Sequence, residues 1–543
     1  MELELLENNG TQPIGLDPEF NLINPSTIIK HIQELKVKSE SGTKHAEILR
    51  QLVNQFEPLD FKLLAFPQAE SLKEKLKQLD DKLTNPDGSY NTSKALEREK
   101  EEAKDIKKQL EGLKLNSKHF LVLSIENALK LAKENNWGLC KNHDFIYLYN
   151  GAFWAEIDKD TFQKFLGEAA EKMGIAKFSA RFYQFREQLF KQFLATAYLP
   201  TPEIDKNKVL INQINGTFEI SQQGTNLRPF ESSDFLTYQS PFKYNKDAKA
   251  PLFEAYLNKV LPDKECQAVL AEYLGYVFIK HGSTLKLEAA LVLYGGGANG
   301  KSVFFEIINA LLGAENVSSY SLQELTDESG YYRAMIANKL VNYASEINGK
   351  LGASKFKQMV SGEVMTARLP YGKPMELTDY AKFIFNCNEL PKEVEHTNAY
   401  FRRWLIIPFN VTIPKAEQDS ELHTKIINAE LSGVFNWVLQ GLKRLLEQRR
   451  FSNCAAAQKA VEQYENESNS VQMFLSEYDY KPSQGTQKLI KELYLDYRSF
   501  CSEDGMIPFK KSNFIKQLRS LNFIIDRGTN NKMVAFIQGL END

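Results

Sequence analysis

Apolar positions along the chain change period several times, and each change marks an element. Leu72, Leu76, Leu79 and Leu83 follow a 4-3-4 spacing among lysines and glutamates, and Ala103, Ile106, Leu110 and Leu113 resume it beyond NPDGSYN. That spacing predicts a coiled-coil-like helical hairpin within 66–116, turning at Asn85–Gly88. DFIYLYNGAFWAEI alternates about Asn150–Gly151, and KVLINQINGTFEI about Asn215–Gly216, as antiparallel hairpins do. Helical periodicity then covers 251–281 with a break at Pro262. From 288 to 412 strand-type and helix-type patterns alternate, which predicts an α/β core. Residues 421–450 read as helix and 454–469 as a polar helical connector. The stretch 471–540 reads as three helices and then two strands around Gly528–Asn531, with Ser512 placed to cap the third helix over 513–521.

Composition narrows the class only a little. At 543 residues the chain is long enough for several domains, and 43% hydrophobic and 25% charged residues are ordinary for a globular protein. A net charge of −3 argues against an all-over basic nucleic-acid surface but leaves room for a local basic channel. The cysteines (Cys140, Cys266, Cys387, Cys454 and Cys501) are scattered and odd in number, so no disulfide framework is expected. Cys140 and His143 are three apart, but no second pair completes a zinc set. MELELLENNG is acidic and lacks an apolar signal core, and no run reaches membrane-spanning length. The expectation is a cytoplasmic protein with no membrane partner.

The chemistry concentrates at LVLYGGGANGKSVFFEIINALLG. Gly295, Gly300, Lys301 and Ser302 satisfy G-x-x-x-x-G-K-[ST] between a buried-type strand and an amphipathic helix. Glycines let backbone N–H groups close around phosphate oxygens, and the positive end of the new helix adds to their field. Lys301 suits β- and γ-phosphates, and the Ser302 hydroxyl suits Mg2+. The candidate nucleotide site is therefore Gly295, Gly296, Gly297, Ala298, Asn299, Gly300, Lys301, Ser302 and Val303, with ATP and Mg2+ as cofactors. The loop alone says nothing of what hydrolysis drives.

Asn299 ahead of Gly-Lys-Ser is similar to the loop of superfamily 3 helicases, a viral and plasmid branch of the AAA+ ATPases. The rest of that family's motif series follows in order. NKLVNYASEIN ends a strand at Glu346, with Ser345 where many P-loop ATPases carry a second acid. KFKQMVSGEVMTARLPYGKPMEL resembles the phage and poxvirus primase-helicase branch at Lys357, Gly362, Glu363, Ala367 and Arg368, with Glu363 replacing the usual Asp. In that branch the segment leads into a channel β-hairpin, whose tip here would be YGKP. YAKFIFNCNELP resembles the sensor strand ending in Asn388, with Asn386 as a nearby competitor. AYFRRWLIIPF carries the Arg402–Arg403 pair, from which an arginine finger would reach a neighbouring subunit, Arg402 being the preferred candidate.

The resemblance spans roughly residues 120–540 and implies a layout. Beyond the helical region that apolar spacing indicates within 1–116, it makes 117–285 an α+β helicase-associated domain, 286–450 the AAA+ P-loop ATPase, 451–470 a connector and 471–543 a winged helix. It implies catalytic roles for Lys301, Glu346, Asn388, Arg402 and Arg403, and metal contacts from Ser302 and Glu346. It implies DNA contacts from Lys357, Arg368, Tyr371 and Lys373, while Lys516 and Arg519 would face DNA from the winged helix, with Lys510, Lys511, Arg527 and Lys532 adding charge.

The function expected is an ATP-dependent DNA helicase of phage, plasmid or mobile-element replication in a bacterial host cell. It would translocate on single-stranded DNA as a homo-oligomeric ring, expected as a hexamer, and act on forked substrates. Residues 1–120 carry neither a paired-acid catalytic strand nor a zinc cluster, so a primase would be a separate partner. Two alternatives stand beside it: an AAA+ initiator or loader without processive unwinding, and a P-loop protein remodeller or small-molecule kinase.

Overall fold

In the computed structural model of the protein, the residues described are 44–84, 93, 96–142, 145–199, 205, 207–221, 224–345, 347, 352–370, 372, 374–391, 395–528 and 531–539. The Asn85–Gly88 turn, His143, Glu346, Tyr371 and Lys373 lie outside them. The chain divides into two compact units. One comprises Met1–Ile204 with Leu210–Gln239, the other Asp205–Val209 with Ser240–Asp543. The boundary at 239 falls inside the 117–285 stretch that the sequence grouped together.

The first unit is α+β. Strands β1 (Gly138–Asn142), β2 (Phe145–Tyr149) and β3 (Trp154–Ile157) form an antiparallel sheet, and β2 and β3 flank the Asn150–Gly151 turn. Asn150 Oδ1 accepts the backbone N–H groups of Ala152 and Phe153, each at 2.9 Å, which fixes that turn. A second sheet orders β4 (Val209–Gln213), β5 (Gly216–Ser221) and β6 (Gly224–Arg228); β6 extends the expected hairpin by one strand. The core gathers around the fully buried Trp154, whose indole N–H donates to the Ser232 carbonyl at 2.9 Å. Ahead of this core, helices Gln68–Leu83 and Glu97–Gly112 pack through Leu79, Leu83, Ala103 and Ile106, with their other faces polar.

The second unit is built on a five-stranded parallel sheet. Its strands are β7 (Ala290–Tyr294), β8 (Val317–Ser318), β9 (Val341–Ala344), β12 (Lys382–Cys387) and β13 (Trp404–Pro408). A small antiparallel pair, β10 (Met365–Ala367) and β11 (Met375–Leu377), stands apart from it. The sheet order is β13-β7-β12-β9-β8, every pairing parallel. Burial on both faces explains why β7 and β13 read as unbroken apolar runs, ALVLY and WLIIP. Helices Lys264–Tyr276 and Leu422–Gln448 pack together and are tied by one buried carboxylate. Glu272 accepts from Arg444, Gln448 and both the backbone and hydroxyl of Ser452. A buried acid is tolerable only when its oxygens are satisfied in this way.

The C-terminal part has its own core around Phe474, Tyr497, Phe514 and Leu518. It contains helices Ser470–Glu477, Ile490–Glu503 and Lys511–Ser520 and a sheet of β14 (Lys481–Leu489), β15 (Ile524–Arg527) and β16 (Met533–Gln538), ordered β14-β16-β15. Two details differ from the sequence reading. The strand β14 sits between the first two helices; its polar sequence KPSQGTQKL hides it from an apolar-period search, and Pro482 and Gln487 flank a register shift. Ser512 lies within the first turn of the third helix, whose N-cap is Lys510 without a side-chain bond, because the helix starts two residues earlier than expected.

Candidate functional site

The glycine loop leaves the carboxyl end of β7, an inner strand of the parallel sheet, on the side where such sheets place ligands. Its backbone is pinned on both sides. Gly295 N–H donates to Cys387 O at 3.1 Å, and Phe409 N–H donates to Tyr294 O at 2.6 Å. Gly295 (φ +156°) has no room for a side chain, since a Cβ there would sit 2.3 Å from Phe409 O. Gly300 (φ +86°) opens helix Lys301–Leu312 from the left-handed region, against Tyr256 and Val260. Tyr256 OH donates to Gly300 O at 2.8 Å, a brace from helix Pro251–Val260 that the sequence did not disclose. Asn299 is buried and donates its amide to Phe409 O at 3.0 Å, so this family-like position holds the loop against β13.

Lys301 gathers the loop onto itself. Its Nζ donates to Gly295 O at 2.6 Å, Gly296 O at 3.0 Å, Asn299 Oδ1 at 3.1 Å and Asn388 Oδ1 at 3.2 Å. These acceptors are neutral, and burial lowers its pKa below the ordinary lysine range. A buried ammonium held only by neutral oxygens is a site that an anion would stabilise. Ser302, next along, is exposed at the start of the helix.

The ends of the flanking strands separate residues that sequence alone could not. Asn386 Oδ1 accepts from the buried Tyr343 hydroxyl at 3.0 Å, so it serves the sheet, whereas Asn388 is exposed and meets Lys301. At the amino end of β13, Arg403 is buried and donates to Ser361 Oγ through Nε (3.2 Å) and Nη2 (2.8 Å) and to the Ala399 carbonyl. Arg402 is exposed, and its Nη2 lies 3.0 Å from Glu288 Oε2.

Lys357 Nζ is bound by both oxygens of Glu395 at 2.8 and 2.9 Å, and this pairing holds the Glu395 carboxyl below its usual range. Arg368 follows β10 and turns back: its Nε donates to Ser329 O at 3.2 Å and its guanidinium lies 5.0 Å from the Tyr331 ring centre. Arg333 reaches across to Thr366 O at 3.2 Å, so the short helix Tyr331–Ala334 is latched to the β10–β11 pair. Tyr331 and Tyr332 keep 36% and 40% of their surface exposed beside that pair. They escaped the sequence reading; the only signal was an aromatic doublet, GYYR, in a polar stretch. In the C-terminal part, Lys516 and Arg519 lie exposed on helix Lys511–Ser520 with Lys510 and Lys511 at its entry.

Fold and loop together define the class: a mixed α/β protein whose second unit carries a P-loop-type sequence between strand β7 of a parallel sheet and helix Lys301–Leu312. A profile described as a family of unknown function (DUF5906) matches residues 293–403, and one described as D5 N terminal like matches residues 128–262. The chain is 26% identical over 244 residues to the helicase-named protein L207/L206 of Acanthamoeba polyphaga mimivirus. The match covers 41% of this chain and 24% of that protein, so the chain spans about a quarter of the relative's length. The apo structure of the NrS-1 C-terminal region (A form) aligns with 76% of this chain and 99% of its own, at 13% identity and a TM-score of 0.44. Among the described residues no helix is long and apolar enough to cross a membrane.

Proposed function

We propose that the protein is an ATP-dependent DNA helicase of viral, phage or mobile-element replication that works as a ring on single-stranded DNA. The observation that carries this reading is the convergence of Lys301 and Asn388, 3.2 Å apart, at the carboxyl ends of adjacent parallel strands. A γ-phosphate seated there would meet the lysine from one strand and a polar sensor from the next.

Gly295–Gly300 would hold phosphate oxygens through backbone N–H groups, and Lys301 would exchange its neutral acceptors for them. Mg2+, held by Ser302 and Glu346, would offset phosphate charge when bound. Glu346 would orient the attacking water, and Asn388 would sense the terminal phosphate. Arg402, exposed at the amino end of β13, is the arginine suited to act on a neighbouring subunit, which makes hydrolysis depend on assembly. Tyr371 and Lys373, which fall between β10 and β11 in sequence, Arg368 just after β10, and the exposed Tyr331 and Tyr332 would track the strand, lysine on phosphate and aromatics on bases. Lys357 would act by bracing Glu395 rather than by reaching DNA.

Strand displacement on forked DNA with ATP tests the reading, with Lys373→Ala as the sharp variant. It should hydrolyse ATP without DNA stimulation and unwind poorly. Wild-type unwinding and stimulation by that variant would defeat the threading mechanism. The exposed cations on helix Lys511–Ser520 favour a second reading, an initiator or loader that binds duplex DNA. Sequence-specific duplex binding without displacement would select it.

A further inference from the structure

Glu288 stands two residues ahead of β7 and receives the whole arginine pair on one oxygen. Its Oε2 lies 3.0 Å from Arg402 Nη2 and 3.0 Å from Arg403 Nη2, and Lys286 Nζ lies 3.9 Å from its Oε1. The two arginines differ in every other respect. Arg403 is anchored on Ser361 and Ala399, with 9% of its side chain exposed; Arg402 has 57% exposed. Among the described residues Glu288 is the acid that Arg402 pairs with. An ion pair this exposed contributes little to stability. Its effect is geometric: the carboxylate offsets the repulsion between adjacent guanidiniums and ties the exposed one to the anchored one. The backbone supports the same register, because Ala290 N–H donates to Arg403 O at 2.8 Å.

We infer that Glu288 is a positioning residue, which sets the exposed Arg402 guanidinium at the angle from which it reaches a neighbouring subunit's nucleotide. This rests on the reading of Arg402 as a finger acting in trans. Glu288 precedes the amino end of β7, whereas the glycine loop leaves its carboxyl end. Removing Glu288 leaves the subunit's own P-loop intact while spoiling what that subunit offers its neighbour. Misplacing a charged group by about 1 Å costs on the order of 100-fold in rate.

The experiment is subunit mixing with the full chain. Glu288→Gln alone should bind a fluorescent ATP analogue and melt like wild type, with kcat lowered about 10- to 100-fold and KM nearly unchanged; Glu288→Asp should recover part of the rate. Lys301→Ala supplies a subunit with a dead P-loop and an intact finger. Mixed with Glu288→Gln, it should restore ATPase activity, because interfaces form that pair a sound P-loop with a sound finger. Arg402→Ala mixed with Lys301→Ala is the reference. Recovery in both mixtures supports the inference. Recovery in the reference mixture alone overturns the role of Glu288 and leaves the trans finger standing. No recovery in the reference mixture overturns the trans finger itself. An unchanged kcat in Glu288→Gln overturns the inference directly, as does loss of analogue binding, which would place its effect inside its own subunit.

Discussion

Lys301 and Asn388, 87 residues apart in sequence, meet at 3.2 Å where β7 and β12 end side by side. The lysine is buried and the asparagine exposed, so the pair forms the floor and the rim of one small site. The two should fail differently. Lys301→Ala removes charge from the proposed phosphate seat and should weaken nucleotide binding as well as hydrolysis. Asn388→Ala should leave affinity within about threefold and lower kcat by about 10- to 100-fold, as expected for a group that matters in the transition state. Titration with a nucleotide analogue beside steady-state ATPase measurements separates them, and equal loss of binding in both variants would defeat this division.

Arg402 and Arg403 should separate along a second axis. Arg403→Ala strands the Ser361 hydroxyl and removes a buried guanidinium bound to the Ala399 carbonyl, and should cost about 2–3 kcal/mol of stability. Arg402→Ala should change stability by less than about 0.5 kcal/mol, since exposed pairs contribute little, yet abolish most ATPase activity. Urea unfolding read against hydrolysis gives both numbers. A destabilised Arg402→Ala with normal turnover would reverse the assignment.

How far the sequence carried this picture depended on whether a residue's role is local. The glycine loop, the sheet strands and both early hairpin turns were legible because periodicity and turn chemistry are written in neighbouring residues. The sorting of Asn386 from Asn388 was not, since it depends on Tyr343, on the adjacent strand β9 and 43 residues away in sequence. Glu288 carried no signal at all; its meaning comes from a contact across more than a hundred residues. Strand β14 was missed for the opposite reason, because an edge strand with both faces largely wet has no apolar period to read.

Tyr331 and Tyr332 should contribute to single-strand binding by stacking. Each alanine substitution should weaken binding of an oligo-dT strand by about 1–3 kcal/mol if a base stacks there, with little change in salt dependence. Lys373→Ala should instead lower the salt slope by about 0.7, the loss of one phosphate contact on a single strand. Fluorescence anisotropy across a salt series reads both effects. Were both tyrosine variants to bind as wild type, the doublet would be packing for the β10–β11 pair and nothing more.

Stability should fall on the acid side through one buried cluster. Lys382 opens β12 with only 6% of its surface exposed, and its Nζ lies 3.3 Å from each ring nitrogen of His281 and 4.6 Å from the Tyr276 ring centre. Burial pushes Lys382 down to about 7, against a weaker pull from Asp379. Burial first and then the lysine's charge push His281 down to about 4, with Lys286 adding to the push and Asp379 and the Tyr380 carbonyl opposing it. Both folded-state values lie below the unfolded ones, about 10.5 for lysine and about 6.5 for histidine. The unfolded chain therefore binds more protons between pH 7 and about 10.5 through Lys382, and between pH 4 and about 6.5 through His281. Stability rises with pH through both windows, and the lysine's penalty is fully present below pH 7. Lys382→Met keeps an unbranched side chain over Tyr276 and removes the ammonium, so it should raise the melting temperature clearly at pH 6 and much less at pH 9.5. An equal gain at both pH values would mean that the change acts through packing, and that the lysine is not the titrating group.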